Sequence, residues 1–129
     1  MRKAYCVELI HMDIRFHDNL TRQESIARAW RLRDGPRDVG GFDTYEDAYL
    51  CLVKTPVRSI KLVNGYSVYM TAICHIEYDE TGENITTDQY LLIRAQDPET
   101  EDEVIKFYDL SGRELDEYEI DESFYSDKD

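Results

Sequence analysis

The chain has 129 residues, enough for one domain around a single core, and with 42% hydrophobic and 33% charged residues its composition is globular rather than disordered. A formal net charge of −13 and a pI near 4.5 disfavour direct binding to nucleic acid or anionic lipid, and favour basic protein surfaces as partners. Cys6, Cys51 and Cys74 stand at wide spacings with no CxxC pair, which argues against a disulfide framework or zinc site and for a reducing, cytoplasmic setting.

Glu8 and His11 interrupt the apolar run after Met1-Arg2-Lys3, so no signal peptide is expected, and no stretch reaches the length of a membrane-spanning helix. Ala4 to Met12 carries β-formers on both faces, which predicts a buried, central strand. Residues 13–20 form a connection. Thr21-Arg22-Gln23-Glu24 is a capping box and predicts a helix to about Asp34, packed through Ile26, Ala29 and Trp30 and stopped by Gly35-Pro36. Gly40-Gly41 closes a loop. Thr44, with Glu46 and Asp47 in the following turn, starts a second helix that Pro56 ends; Tyr45, Ala48, Tyr49, Leu52 and Val53 mark its buried stripe.

From Val57 the apolar period changes to two. Arg58–Val63 and Tyr66–Tyr78 flank Asn64-Gly65, a strong hairpin signal because such a turn needs positive φ at both central residues. Tyr66, Val68, Met70, Ala72, Cys74, Ile76 and Tyr78 share one strand face; Ser67, Tyr69, Thr71, Ile73, His75 and Glu77 share a more polar, half-exposed one. A turn around Gly82 leads to a strand from Ile85 or Thr87 to Ala95, broken by Pro98. Glu103–Asp109 and Glu114–Ile120 then flank Leu110-Ser111-Gly112-Arg113 as a further hairpin. The order β-α-α-β-β-β-β-β predicts an α+β fold: a mostly antiparallel sheet of five to six strands with two helices packed on one face. Residues 1–120 form the domain and 121–129 an acidic C-terminal tail.

Little here announces catalysis. Cys74 and His75 are adjacent in a strand and point to opposite faces, so they cannot form a nucleophile–base pair; a core cysteine and a surface histidine are the expected roles. The acids of 97–103 alternate as in a calcium loop but lack its central glycine and distal glutamate, and Gly40-Gly41 lacks the pattern of a phosphate loop. No metal, no cofactor and no enzymatic activity are expected. Arg22, Arg28, Arg31 and Arg33 read as a solvated helix face with a Glu24–Arg28 pair.

Charge asymmetry is the feature that points to function. Residues 1–78 hold eleven Lys and Arg against ten Asp and Glu; residues 79–129 hold four against eighteen. Asp97 to Asp129 alone carries fourteen acids against Lys106, Arg113 and Lys128, threaded with Phe107, Tyr108, Tyr118, Phe124 and Tyr125. Disordered acidic tails are poor in aromatics, and tyrosine is enriched at protein interfaces, so this segment reads as an ordered, negatively charged docking surface. Glu101, Asp102, Glu103, Tyr108, Glu114, Asp116, Glu117, Tyr118 and Glu119 are the expected partner-binding residues, with Tyr69 and Tyr125 also expected to be exposed.

In size, acidity and α+β pattern the chain resembles phage-encoded inhibitors of host defence, such as anti-CRISPR and antirestriction proteins, and the immunity proteins of basic nuclease toxins. The resemblance is one of type, without a shared motif. It implies an inhibitor that occupies the basic nucleic-acid-binding surface of a nuclease or CRISPR effector in place of the phosphate backbone. The alternative is a homodimer or larger homo-oligomer, a structural module whose basic helix docks on the acidic edge of a neighbour.

Overall fold

A computed structural model describes residues 2–83, 89–108 and 113–116. In chain order the elements are β1 (Arg2–Arg15), α1 (Arg22–Arg31), β2 (Asp34–Phe42), α2 (Tyr45–Lys54), β3 (Arg58–Leu62), β4 (Gly65–Tyr78), β5 (Gln89–Gln96), β6 (Glu103–Tyr108) and β7 (Glu114–Leu115). All strand pairs are antiparallel, in the spatial order β2-β1-β4-β5-β6-β7, with β3 also paired to β4. The fold is the expected α+β domain, with seven strands and two helices among the described residues.

The sheet is built on β1 and β4, which pair residue for residue from Arg2↔Tyr78 to Arg15↔Gly65 without a register shift. An unbroken register keeps side chains alternating cleanly between faces. Odd-numbered Tyr5, Val7 and Ile73 therefore share one face, where they pack with Ala48 and Leu52 of α2. Even-numbered Ile10, Ile14, Val68, Met70 and Ala72 share the other, where they pack with Ala29 of α1. The helices thus lie on opposite faces of the sheet, and not on one face as expected. They are also displaced along the strands, α2 over the Tyr5 end and α1 over the Ile14 end. Among the described residues each face thus keeps one quarter open in the sense that neither helix covers it, and the two are diagonally opposed.

Burial from both sides explains a second correction. The polar face of β4 is not half exposed: Thr71 and Ile73 are fully buried and His75 is 5% exposed, with its ring 5.5 Å from that of Tyr5. The expectation of a surface histidine fails there, while Cys74 is the core residue expected.

The third correction is β2. The stretch expected to stop the first helix at Gly35-Pro36 and to form a loop closed by Gly40-Gly41 is an edge strand on β1, running from His11↔Asp34 to Tyr5↔Phe42 with two register shifts. An edge strand tolerates Pro36, which has no amide to donate, and bulges accommodate the glycines. The order is therefore β-α-β-α followed by five strands.

Both helix starts are as expected. Thr21 and Glu24 exchange the two bonds of a capping box, Thr21 N to Glu24 Oε1 at 2.9 Å and Glu24 N to Thr21 Oγ1 at 3.1 Å; Thr44 Oγ1 accepts from Asp47 N at 3.2 Å. The buried stripes are narrower than expected. α1 buries Ser25 and Ala29 while Ile26 is exposed, and α2 buries Ala48 and Leu52 while Tyr49 and Val53 are exposed.

The β3–β4 hairpin exists, but its two central residues are Val63 and Asn64, between the pair Leu62↔Gly65. Neither has positive φ; among the described residues only Gly82 and Glu101 do. Gly65 is required for another reason: a Cβ there would lie 1.7 Å from the Ile14 carbonyl oxygen of β1. The proposed beginning of β5 at Ile85 or Thr87, the 110–113 turn except Arg113, and the end of the last strand at Ile120 lie outside the described residues.

Candidate functional site

The acidic turn between β5 and β6 is held by its own backbone. Asp97 Oδ1 accepts from the amides of Glu99 at 2.8 Å and Thr100 at 3.2 Å. Those donors favour the charged form and hold the Asp97 carboxyl below its ordinary range. Asp97 N donates to Asp102 O and Glu101 N to Asp97 O, each at 2.8 Å, which closes the turn and leaves Glu101 at φ 65°. A residue with a Cβ is strained in that region. Gln96 fastens the turn to β3: its Oε1 accepts from Ser59 N at 2.8 Å, its carbonyl accepts from Ser59 Oγ at 2.6 Å, and its Nε2 donates to Glu101 O at 3.1 Å. Ser59 and Gln96 carried no signal in the sequence, because their partnership spans 37 positions.

Several carboxylates already have cations. Glu99 pairs with Arg22 of α1, and Glu103 with Arg94 of β5. Arg94 also donates to Leu52 O at 3.0 Å and Thr55 O at 2.6 Å, so one guanidinium satisfies carbonyls at the C-terminal end of α2 and binds the first residue of β6. Glu114 lies 3.8 Å from Lys106 Nζ in an exposed pair, of the kind that water screens heavily. Tyr108 stands opposite Glu114 in the β6–β7 register; burial, and then the charge of Glu114, push its hydroxyl pKa up.

The structure therefore gathers Glu101, Asp102 and Glu103 at one end of β6, and Tyr108 and Glu114 near the other, roughly 17 Å away along the strand. Asp116 is exposed just beyond β7. Glu117, Tyr118 and Glu119, together with Tyr125, lie outside the described residues. Tyr69 is 37% exposed, as expected, although on a different part of the sheet.

A constellation that the sequence did not suggest occupies the open quarter beside α2. His11 Nε2 lies 2.7 Å from Ser67 Oγ and 3.1 Å from Asp13 Oδ1; its Nδ1 lies 3.2 Å from Asp34 Oδ2. Its ring stacks on Tyr69 at 4.5 Å, and the Arg58 guanidinium lies 5.0 Å from the Tyr69 ring. A cleft of about 360 Å³ adjoins it, with Leu9, Arg37, Pro56 and Arg58 among its lining residues. The Ser–His–Asp connectivity is that of an acyl-transfer triad, but two features set it apart. Ser67 is buried within β4, a strand whose backbone amides belong to the ladders on both sides, so they do not converge on an oxyanion position. Asp13 also competes with Ser67 for Nε2, so that nitrogen is not committed to the serine hydroxyl. Only because β1 runs on to Arg15, past the expected end at Met12, do His11 and Asp13 fall at i, i+2 on one strand face.

Among the described residues no group of three or more His, Cys, Asp and Glu is arranged to hold a metal ion. No described helix is long and apolar enough to cross a membrane. Comparison with protein-family models, curated proteins and solved structures gives no match to this chain.

Proposed function

We propose that the protein is an acidic inhibitor that binds the basic nucleic-acid-binding surface of a nuclease or another nucleic-acid-handling protein, and keeps nucleic acid out by occupying its place. The observation that carries this reading is the β5–β6 turn: its backbone is fixed by main-chain bonds, by the Asp97 carboxylate and by Gln96, so the exposed Glu101 and Asp102 stand on an ordered loop. A preordered array loses less entropy on docking than a flexible one. A lysine- and arginine-lined channel attracts such an array at long range and in a fixed orientation. Glu101 and Asp102, both exposed, are the leading contacts; Asp116, Glu117, Tyr118 and Glu119 are further proposed contacts, and Tyr108 and Glu114 support them.

The homo-oligomeric alternative asks the basic helix of one copy to meet the acidic edge of the next. Arg22 of α1 already meets Glu99 of its own chain, which removes part of that attraction. The test is retention of a basic nucleic-acid-binding protein from a nuclease-treated bacterial lysate, followed by elution with duplex DNA. Retention that DNA reverses is the expected outcome; capture of nothing but the protein itself overturns the proposal in favour of self-association.

A further inference from the structure

The second open quarter, beside α1, holds two thiols. Cys6 of β1 and Cys74 of β4 are direct partners in the antiparallel register, and their even numbers place both side chains on the same face. Directly opposed residues on antiparallel strands have Cα atoms about 4.5 or 5.5 Å apart, depending on the ladder position, and disulfides span about 4.4 to 6.8 Å. Both cysteines are reduced in this structure. Access to them is unequal. Cys74 is 1% exposed, whereas Cys6 is partly exposed and lines an open cavity of about 960 Å³. The reason lies in β2: the residue opposite Cys6 on that side is Gly41, where even an added Cβ would meet nothing within 4 Å. Cys51, the third thiol, is on α2 and packs on the opposite face of the sheet.

We propose that Cys6 and Cys74 form a thiol-oxidation site, with Cys6 the attacking residue and Cys74 the resolving one, for a small neutral or cationic disulfide. The Cys6 thiolate attacks one sulfur of the reagent, forming a mixed disulfide and expelling one small thiolate. The Cys74 thiolate then attacks Cys6 Sγ, forming the cross-strand disulfide and expelling the second. Two protein thiols are oxidised, one small disulfide is reduced to two thiols, and the two thiol protons pass to solvent or to the departing thiolates. The choice of reagent follows from the cavity rim, where Asp43, Asp79 and Glu80 stand and no lysine or arginine is found among the described lining residues. Asp79 stays charged over the working range, since the Thr81 hydroxyl and the Glu83 amide hold its carboxyl below the usual value. A negative rim repels anionic oxidised glutathione and attracts dicationic cystamine.

The full-length Cys51→Ser variant, whose substitution leaves the pair untouched, is treated with cystamine and with oxidised glutathione. Its intact mass and peptide map are then followed without reduction. The expected result is loss of two hydrogens from a monomer, a peptide containing Cys6 joined to one containing Cys74, and a rate with cystamine about tenfold or more above that with glutathione at low salt. That ratio falls as salt is added. The Cys6→Ala variant in the same background gives no internal bridge. A mixed disulfide that persists on Cys6 without resolution, a bridge between two molecules, or no reaction overturns the assignment of the pair; equal rates for the two reagents overturn the role of the rim.

Discussion

The central ladder and the outer hairpin are made differently. β1 and β4 pair over fourteen residues in one uninterrupted register, with helices on both faces and Val7, Ala72 and Ile73 at zero exposure. β4–β5 and β5–β6 pair over five residues each and β6–β7 over two, and Glu103, Val104, Ile105 and Lys106 of β6 are all exposed. In the ladder, register and burial hold the strands; in the hairpin, side-chain bonds do so, from Asp97 to backbone amides and from Arg94 to Glu103. Substitutions in the first region should therefore change stability, and substitutions of exposed acids in the second should change binding.

The largest effect is expected at Gly65. Alanine there would put a carbon into the Ile14 carbonyl, and parting the two longest strands should lower the unfolding free energy by about 4 kcal/mol or more in urea titration. Leu52→Ala comes next: it empties a fully buried site between α2 and the sheet and should cost about 3 kcal/mol by the same measurement.

Glu101→Gly sharpens the contrast, because stability and binding should move in opposite directions. Relief of the positive φ should raise stability by about 1 kcal/mol, while loss of the carboxylate weakens retention of the partner.

Thr21→Ala removes the capping box and should cost about 1 kcal/mol at neutral pH. It carries a pH signature as well. The backbone amide and hydroxyl of Thr21 lower the Glu24 carboxyl below its unfolded value. That contribution is fully present above the unfolded carboxylate pKa and is lost as pH falls through the lower, folded one. Asp79 and Asp97 have the same sign. Acid titration of unfolding should therefore be shallower for Thr21→Ala than for the parent.

What the sequence made legible follows the same division. Local signals were sound: Thr21 with Glu24, and Thr44 with Asp47, are three residues apart, and their geometry needs nothing from the rest of the chain. The hairpin near Asn64-Gly65 was legible too, but for the wrong reason, since the glycine answers to β1 and not to turn dihedrals. β2 was hidden because Pro36 and the glycines depress β propensity, and only its edge position lets it remain a strand. The helices' placement on opposite faces had a visible trace, since Tyr5 and Val7 alternate with Ile10 and Ile14 along one strand and both sets need cover. The ion pairs that bind Glu99 and Glu103 reach helix and sheet neighbours that periodicity does not reveal.

The most direct test of the binding surface reverses four of the acids proposed to contact the partner. The Glu101→Lys, Asp102→Lys, Glu117→Lys, Glu119→Lys protein is compared with the parent and with Arg28→Glu, Arg31→Glu for retention of a basic nucleic-acid-binding protein from nuclease-treated lysate. Glu101 and Asp102 are exposed, and reversing each should change unfolding free energy by no more than about 0.5 kcal/mol. Retention is expected to be lost in the acid-reversed protein alone and to be competed away from the others by duplex DNA. Retention that survives both the reversal and the DNA contradicts the proposed function.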